Sequence, residues 1–140
     1  MLLYPKKTKF KAVFSRKRIK CFASSLFFSS SLKCFGIVSC EAGKINNKQI
    51  ESVRKVLKRS LKGYGKFWLN IFPTTPATKK SEGVRMGKGK GNIKFWFATV
   101  SKGNILAEIN GCSWNHAKKV VGHIQNKLSI KVFLFVNKTT

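Results

Sequence analysis

The side chains best able to ligate a metal, move a proton or attack an electrophile are few in this 140-residue chain: His116 and His123, Cys21, Cys34, Cys40 and Cys112, and the glutamates at 41, 51, 82 and 108. No C-x-x-C pair occurs, and the cysteine spacings match no zinc pattern. On a helix, His116 and His123 would share a face but stand two turns apart, too far for one metal. There is no aspartate, the four glutamates form no evident pair, and no His–Cys or His–Ser motif has a catalytic setting. The expectation is therefore no enzyme, no cofactor and no metal site. The cysteines read as small apolar residues in a reducing compartment.

The chemistry that the chain does supply is cationic. Lys and Arg number 29 against four carboxylates, a formal charge of +25. A compact particle with that charge repels itself, so a polyanion is its natural companion, nucleic acid first and an anionic membrane second. The densest expression lies at residues 83–92, where Gly83, Gly87, Gly89 and Gly91 alternate with Arg85, Met86, Lys88 and Lys90. Glycines let a backbone approach a partner closely, and the interspersed cations suit an array of phosphates. No Gly-Lys-Ser/Thr closes the stretch and no helical pattern follows, which excludes a nucleotide-binding P-loop. The competing interpretation is a solvated hairpin loop.

These residues need elements to position them. Residues 1–20 form an acid-free arm with Lys6, Lys7, Lys9, Lys11, Arg16, Lys17, Arg18 and Lys20, interleaved with Tyr4, Phe10 and Phe14. Pro5 and the charge density oppose a helix, and the pattern suits a segment that orders on RNA. A transit peptide, also basic and acid-poor, is the competing reading. Residues 21–40 are apolar and serine-rich; Lys33, costing about 2.5–3.5 kcal/mol on insertion, argues against a membrane span. Phe27, Phe28, Leu32, Phe35, Ile37 and Val38 are assigned instead to core strands.

A helix is predicted over 46–62, capped by Asn46 with Gln49 as its box partner and stopped by Gly63. Ile50, Val53, Leu57 and Leu61 form its buried stripe; Lys48, Arg54, Lys55, Lys58, Arg59 and Lys62 stand opposite against Glu51 alone. Solvated faces usually mix signs, so Lys55, Lys58, Arg59 and Lys62 are candidate RNA contacts. Strands are predicted at 66–72, 93–100, 105–110 and 130–136, with the glycine in 101–104 signalling a hairpin between the second and third. Pro73 and Pro76 open a long loop to 92. A second helix runs from Ser113 to about 128, burying Trp114, Ala117, Val121, Ile124 and Leu128. The expected architecture is α+β, two helices covering one face of a mostly antiparallel or mixed sheet: a basic arm (1–20) and one domain (21–140) from which loop 73–92 protrudes.

Read in order, Pro5-Lys6-Lys7-Thr8-Lys9-Phe10, residues 45–51, Gly65-Lys66-Phe67-Trp68, Ile71-Phe72-Pro73, the run from Val84 to Asn92, Trp96 and Lys127-Leu128-Ser129-Ile130-Lys131 resemble one family. It is the universal large-subunit ribosomal protein numbered sixteen in bacteria, and the glycine-lysine run is its most diagnostic motif. Two departures stand out: 14–20 lacks the family's usual glycines, and Cys40-Glu41-Ala42-Gly43 replaces its common arginines. RNA contacts there are not carried over from the family.

The resemblance implies a structural protein that binds large-subunit ribosomal RNA, supports subunit assembly, and extends Arg85–Gly91 toward tRNA near the peptidyl-transferase region. Its partners would be that RNA, tRNA and neighbouring ribosomal proteins, with no membrane insertion and no homo-oligomer. The alternative is a free-standing basic module for RNA or anionic membranes. Because the family signature begins at Pro5, the transit-peptide reading falls. Twelve phenylalanines with abundant Lys, Ile and Asn suggest an A·T-biased gene, hence an organellar ribosome, mitochondrial before plastid, with a bacterium as the remaining option.

Overall fold

The computed structural model describes residues 3–10, 35–63 and 65–136. The predicted RNA contacts Lys11, Arg16, Lys17, Arg18 and Lys20, and the predicted core residues Phe27, Phe28 and Leu32, lie outside them. In chain order the elements are β1 (Phe35–Ser39), β2 (Gly43–Asn46), α1 (Asn47–Ser60), β3 (Lys66–Leu69), β4 (Thr75–Lys79), β5 (Asn92–Val100), β6 (Ile105–Asn110), α2 (Trp114–Gln125) and β7 (Val132–Val136).

The fold is α+β, but the strands form two antiparallel sheets rather than one: β3-β6-β1-β7 and β2-β5-β4. The hairpin expected between β5 and β6 is absent. Each strand already has both edges filled, β5 by β2 and β4, β6 by β3 and β1, so the turn at 101–104 hands the chain from one sheet to the other. The end of β1 holds that turn: Ser39 N–H donates to the Asn104 carbonyl at 3.0 Å, and Gly103 N–H to the Ser39 carbonyl at 2.8 Å.

Both helices cover the four-stranded sheet. Val53, Leu57 and Leu61 from the α1 segment and Val120 and Ile124 from α2 pack with Ile37, Ala107 and Ile109. A second cluster joins the three-stranded sheet to α1 through Ile45, Ile50, Ala98, Val100, Leu106 and Ile130. α1 begins where predicted, with Asn46 N–H donating to Gln49 Oε1 at 2.9 Å, so a backbone amide N–H at the helix start is satisfied locally. In α2, Ser113 Oγ accepts from His116 N–H at 3.4 Å. The α2 stripe differs from expectation. Val120 is buried and Val121 only half-buried, while Trp114 is 46% exposed at the first turn and leans on Phe35, ring centroids 5.9 Å apart.

The loop expected over 73–92 is shorter, because Thr75–Lys79 forms β4 along one edge of β5. Pro76 disguised this strand, yet an edge strand tolerates the missing N–H, and its threonines favour extended backbone. β3 ends at Leu69, although Asn70 N–H still donates to the Leu106 carbonyl at 3.0 Å.

Candidate nucleic-acid interface

β4 and β5 carry the glycine-lysine segment between them, so its two ends are fixed by strand pairing: Lys79 lies opposite Asn92. Residues 81–90 are all exposed, Met86 to 97%. Gly91 closes the loop where the backbone of β4 crowds in; a Cβ there would lie 2.6 Å from the Lys79 carbonyl oxygen. Lys88 adopts a left-handed backbone, φ 53°, between the left-handed glycines 87 and 89. Such a conformation is uncommon for a residue with a side chain. The Lys80 ammonium donates to the Gly87 carbonyl and ties the loop's second half back to its first. Lys80, Lys88, Lys90, Gly89 and Gly91 line a concavity of about 180 Å³. Arg85, Lys88 and Lys90 are thus presented on exposed backbone.

On α1, Lys48, Lys55, Lys58 and Arg59 are exposed and share one helical face, and Lys62, predicted to be helical, is exposed in the turn that follows the Leu61 cap. Arg54 is the exception. Its Nε donates to Glu51 Oε2 at 2.9 Å and a terminal nitrogen to Oε1 at 2.7 Å, a bidentate pair that holds the Glu51 carboxyl below its ordinary pKa. The other glutamates are also engaged. Glu41 lies 3.8 Å from Lys131, and Glu82 3.9 Å from Lys79. Glu108, 1% exposed in β6, accepts from Asn70 Nδ2 at 2.7 Å. Each glutamate thus has a nearby cationic or amide partner, and exposed cations far outnumber them among the described residues.

Lys6, Lys7 and Lys9 are exposed as well, with Lys9 5.6 Å from the Phe10 ring centre. His116 is committed to structure: its Nε2–H donates to the Ser60 carbonyl at 2.9 Å, linking α2 to the end of α1. Burial pushes the Cys112 thiol pKa up, in line with a packing role; Cys40 is free like Cys112. Among the described residues no group of three His, Cys, Asp or Glu side chains could hold a metal, and no helix is long and apolar enough to cross a membrane.

Residue-by-residue reading missed Lys44, whose ammonium sits 5.0 Å over the Phe97 ring, and Lys80. Period-two alternation in β5 would have placed Phe95 and Phe97 on the face opposite Ala98 and Val100, which face the core.

Two antiparallel sheets under a pair of helices, with a polycationic loop between paired strands, define a strongly basic α+β protein. The sequence profile of the family Ribosomal protein L16p/L10e matches residues 4–134, and the chain belongs to that family. It is 38% identical over 139 residues to the large ribosomal subunit protein uL16 of Buchnera aphidicola subsp. Cinara cedri, covering 98% of both chains. It is 40% identical over 138 residues to the protein of the same name from Wigglesworthia glossinidia brevipalpis, again covering 98% of both.

Proposed function

We propose that this chain is a structural constituent of the large ribosomal subunit, bound to its RNA beside other ribosomal proteins. The observation that carries this is similarity along 98% of the chain to proteins named large ribosomal subunit protein uL16. A free-standing RNA or membrane module is not favoured by a match of that extent.

Within that role the cations divide the work. Lys55, Lys58 and Arg59 of α1 and Lys62 just past its end anchor the protein on ribosomal RNA, together with Lys6, Lys7, Lys9, Lys11, Arg16, Lys17, Arg18 and Lys20 of the arm. Residues Arg85–Gly91 position tRNA near the peptidyl-transferase region. What supports the division is mechanical. α1 is held by its own apolar stripe, whereas the loop is exposed throughout, is anchored by strand pairing at its ends and has no apolar packing of its own to hold it there. Phosphate contacts of this kind set register without reading sequence. Bond making belongs to the RNA, and the protein supports subunit assembly as a single copy, without entering a membrane. The finer placement is a mitochondrial ribosome, on the strength of the A·T-biased composition; the relatives named above are bacterial.

Two sets of alanine variants in assembled particles test this. Replacing Lys88 and Lys90 leaves sedimentation with large subunits intact and weakens tRNA binding about ten-fold. Replacing Lys55, Lys58 and Lys62 lowers incorporation and flattens its salt dependence by up to about one unit of log–log slope for each phosphate that is no longer neutralised. A loop variant missing from particles, or two sets that behave alike, refutes the division of labour. A wild-type chain that sediments apart from large subunits refutes the ribosomal role.

A further inference from the structure

The outer face of the three-stranded sheet carries a groove that the loop and helix do not explain. Strand register puts its residues together. Asn46 of β2 and Thr75 of β4 lie opposite Phe97 of β5, Ala77 lies opposite Phe95, and Lys44 lies opposite Thr99. All point away from Ile45, Ala98 and Val100, which pack in the core. The groove measures about 390 Å³ and is lined by Phe95, Phe97, Ala77, Asn46, Lys44 and Lys90, with Pro76 and Thr78 at its border. Phe97, 4% exposed, is the floor, and half-buried Phe95 the wall. No carboxylate lines it among the described residues.

This set of surfaces is selective. A phosphate array alone would need cations but no rings. An apolar peptide would not need the lysines, and an acidic one would find no use for a flat aromatic wall. One chemical unit uses all of them: a flat π-system joined to an anion, with polar edges. Aromatic side chains stack unpaired bases, while paired bases keep their faces covered by neighbours. We propose that the groove holds a single unpaired nucleotide of RNA, its base against Phe95, its phosphate at Lys44 and Lys90, and its edge toward Asn46 and Thr78. Lys44, already over the Phe97 ring, is held by a cation–π contact where that phosphate arrives. Lys90 belongs to both the loop and the groove, so the nucleotide lies next to whatever the loop touches. The inference rests on the RNA-binding role above and adds to it a strand state, single rather than double.

The test uses the full-length chain with two labelled probes of equal length and charge, an unstructured single-stranded RNA and a base-paired RNA hairpin, at one moderate salt concentration. Phe95→Leu keeps the apolar volume but removes the aromatic face. Ala77→Phe fills the groove and leaves every cation in place. Each variant is first melted to establish that it folds. The expected result is an approximately ten-fold loss of affinity for the single strand in both variants, in the range set by one base–aromatic stack, with hairpin affinity unchanged within about two-fold. Equal losses for both probes in a folded variant, or no loss for either, overturn the nucleotide site while leaving RNA binding in place. A wild-type chain that binds neither probe overturns the RNA-binding role and this inference together.

Discussion

Gly89 and Gly91 are both glycines of one cationic loop, yet they are there for different reasons. Gly89 has φ +78° and nothing within 4 Å of where a Cβ would stand, so its constraint is purely conformational. Gly91 has ordinary backbone, but a Cβ would meet the Lys79 carbonyl oxygen at 2.6 Å, the carbonyl carbon at 2.7 Å and the Lys80 nitrogen at 2.8 Å. Those atoms are main chain at the end of β4, and they yield only if the β4–β5 pairing opens. Gly91→Ala should therefore lower stability by about 1–3 kcal/mol, the usual cost of forcing extra volume into packed structure. In thermal melts that is a fall of about 3–10 °C for a chain of this size. Gly89→Ala, whose strain of about 1–2 kcal/mol is absorbed by exposed loop, should leave the melting temperature nearly unchanged. Equal melting of the two variants would show that the close approach at Gly91 is not what constrains this residue.

At the scale of elements, paired and unpaired backbone separates what folds alone from what a partner must order. β5 is nine residues long and central in its sheet, β6 lies between β3 and β1, and the two helices are tied by the His116–Ser60 hydrogen bond. Residues 81–90 make few backbone hydrogen bonds by comparison, that from Val84 N–H to the Ser81 carbonyl being a long one at 3.4 Å. In the isolated protein, amide exchange at 81–90 should be fast, while α1, α2, β5 and β6 are protected. Ala77 should follow the slow group, because β4 is a strand rather than the first part of a loop. Slow exchange across 81–90 in the free chain would mean that the loop carries its own order, and its dependence on RNA would have to be abandoned. Exchange at Ala77 as fast as at Lys88 would mean that β4 does not form without a partner.

For the whole molecule the dominant fact is +25 on 140 residues. The four glutamates already counted in that sum include two engaged in local structure, Glu51 with Arg54 and Glu108 of β6 with Asn70. The exposed cations therefore repel one another over distances that water does not suppress at low ionic strength. At 0.1 M salt the screening length is about 10 Å, so repulsion between surface cations farther apart than that is largely screened. The melting temperature of the isolated chain should rise as salt is added from low ionic strength. A short RNA that binds the folded state should raise it further at constant ionic strength. A melting temperature indifferent to both would mean that self-repulsion does not limit the fold.

What the sequence determined by itself was whatever depends on neighbours three or four residues away. α1 was legible because Ile50, Val53 and Leu57 keep one spacing and Asn46 with Gln49 closes its first turn. The cations between them then had only one face to occupy. The glycine-lysine loop was legible for the same local reason, since glycine and charge act where they stand. Sheet membership was not legible, because Phe35 must find Ile109 and Val136 across most of the chain, and no short window records that choice. Long-range strand pairing is what makes β5 and β6 part company and puts Pro76 in an edge strand. The tertiary structure also decided that Trp114 stays at the surface and that Glu108 is buried. The groove under Lys44 belongs to the same class: its lining comes from β2, β4, β5 and the loop, and these residues meet only because pairing free energy, not sequence proximity, brings their strands side by side.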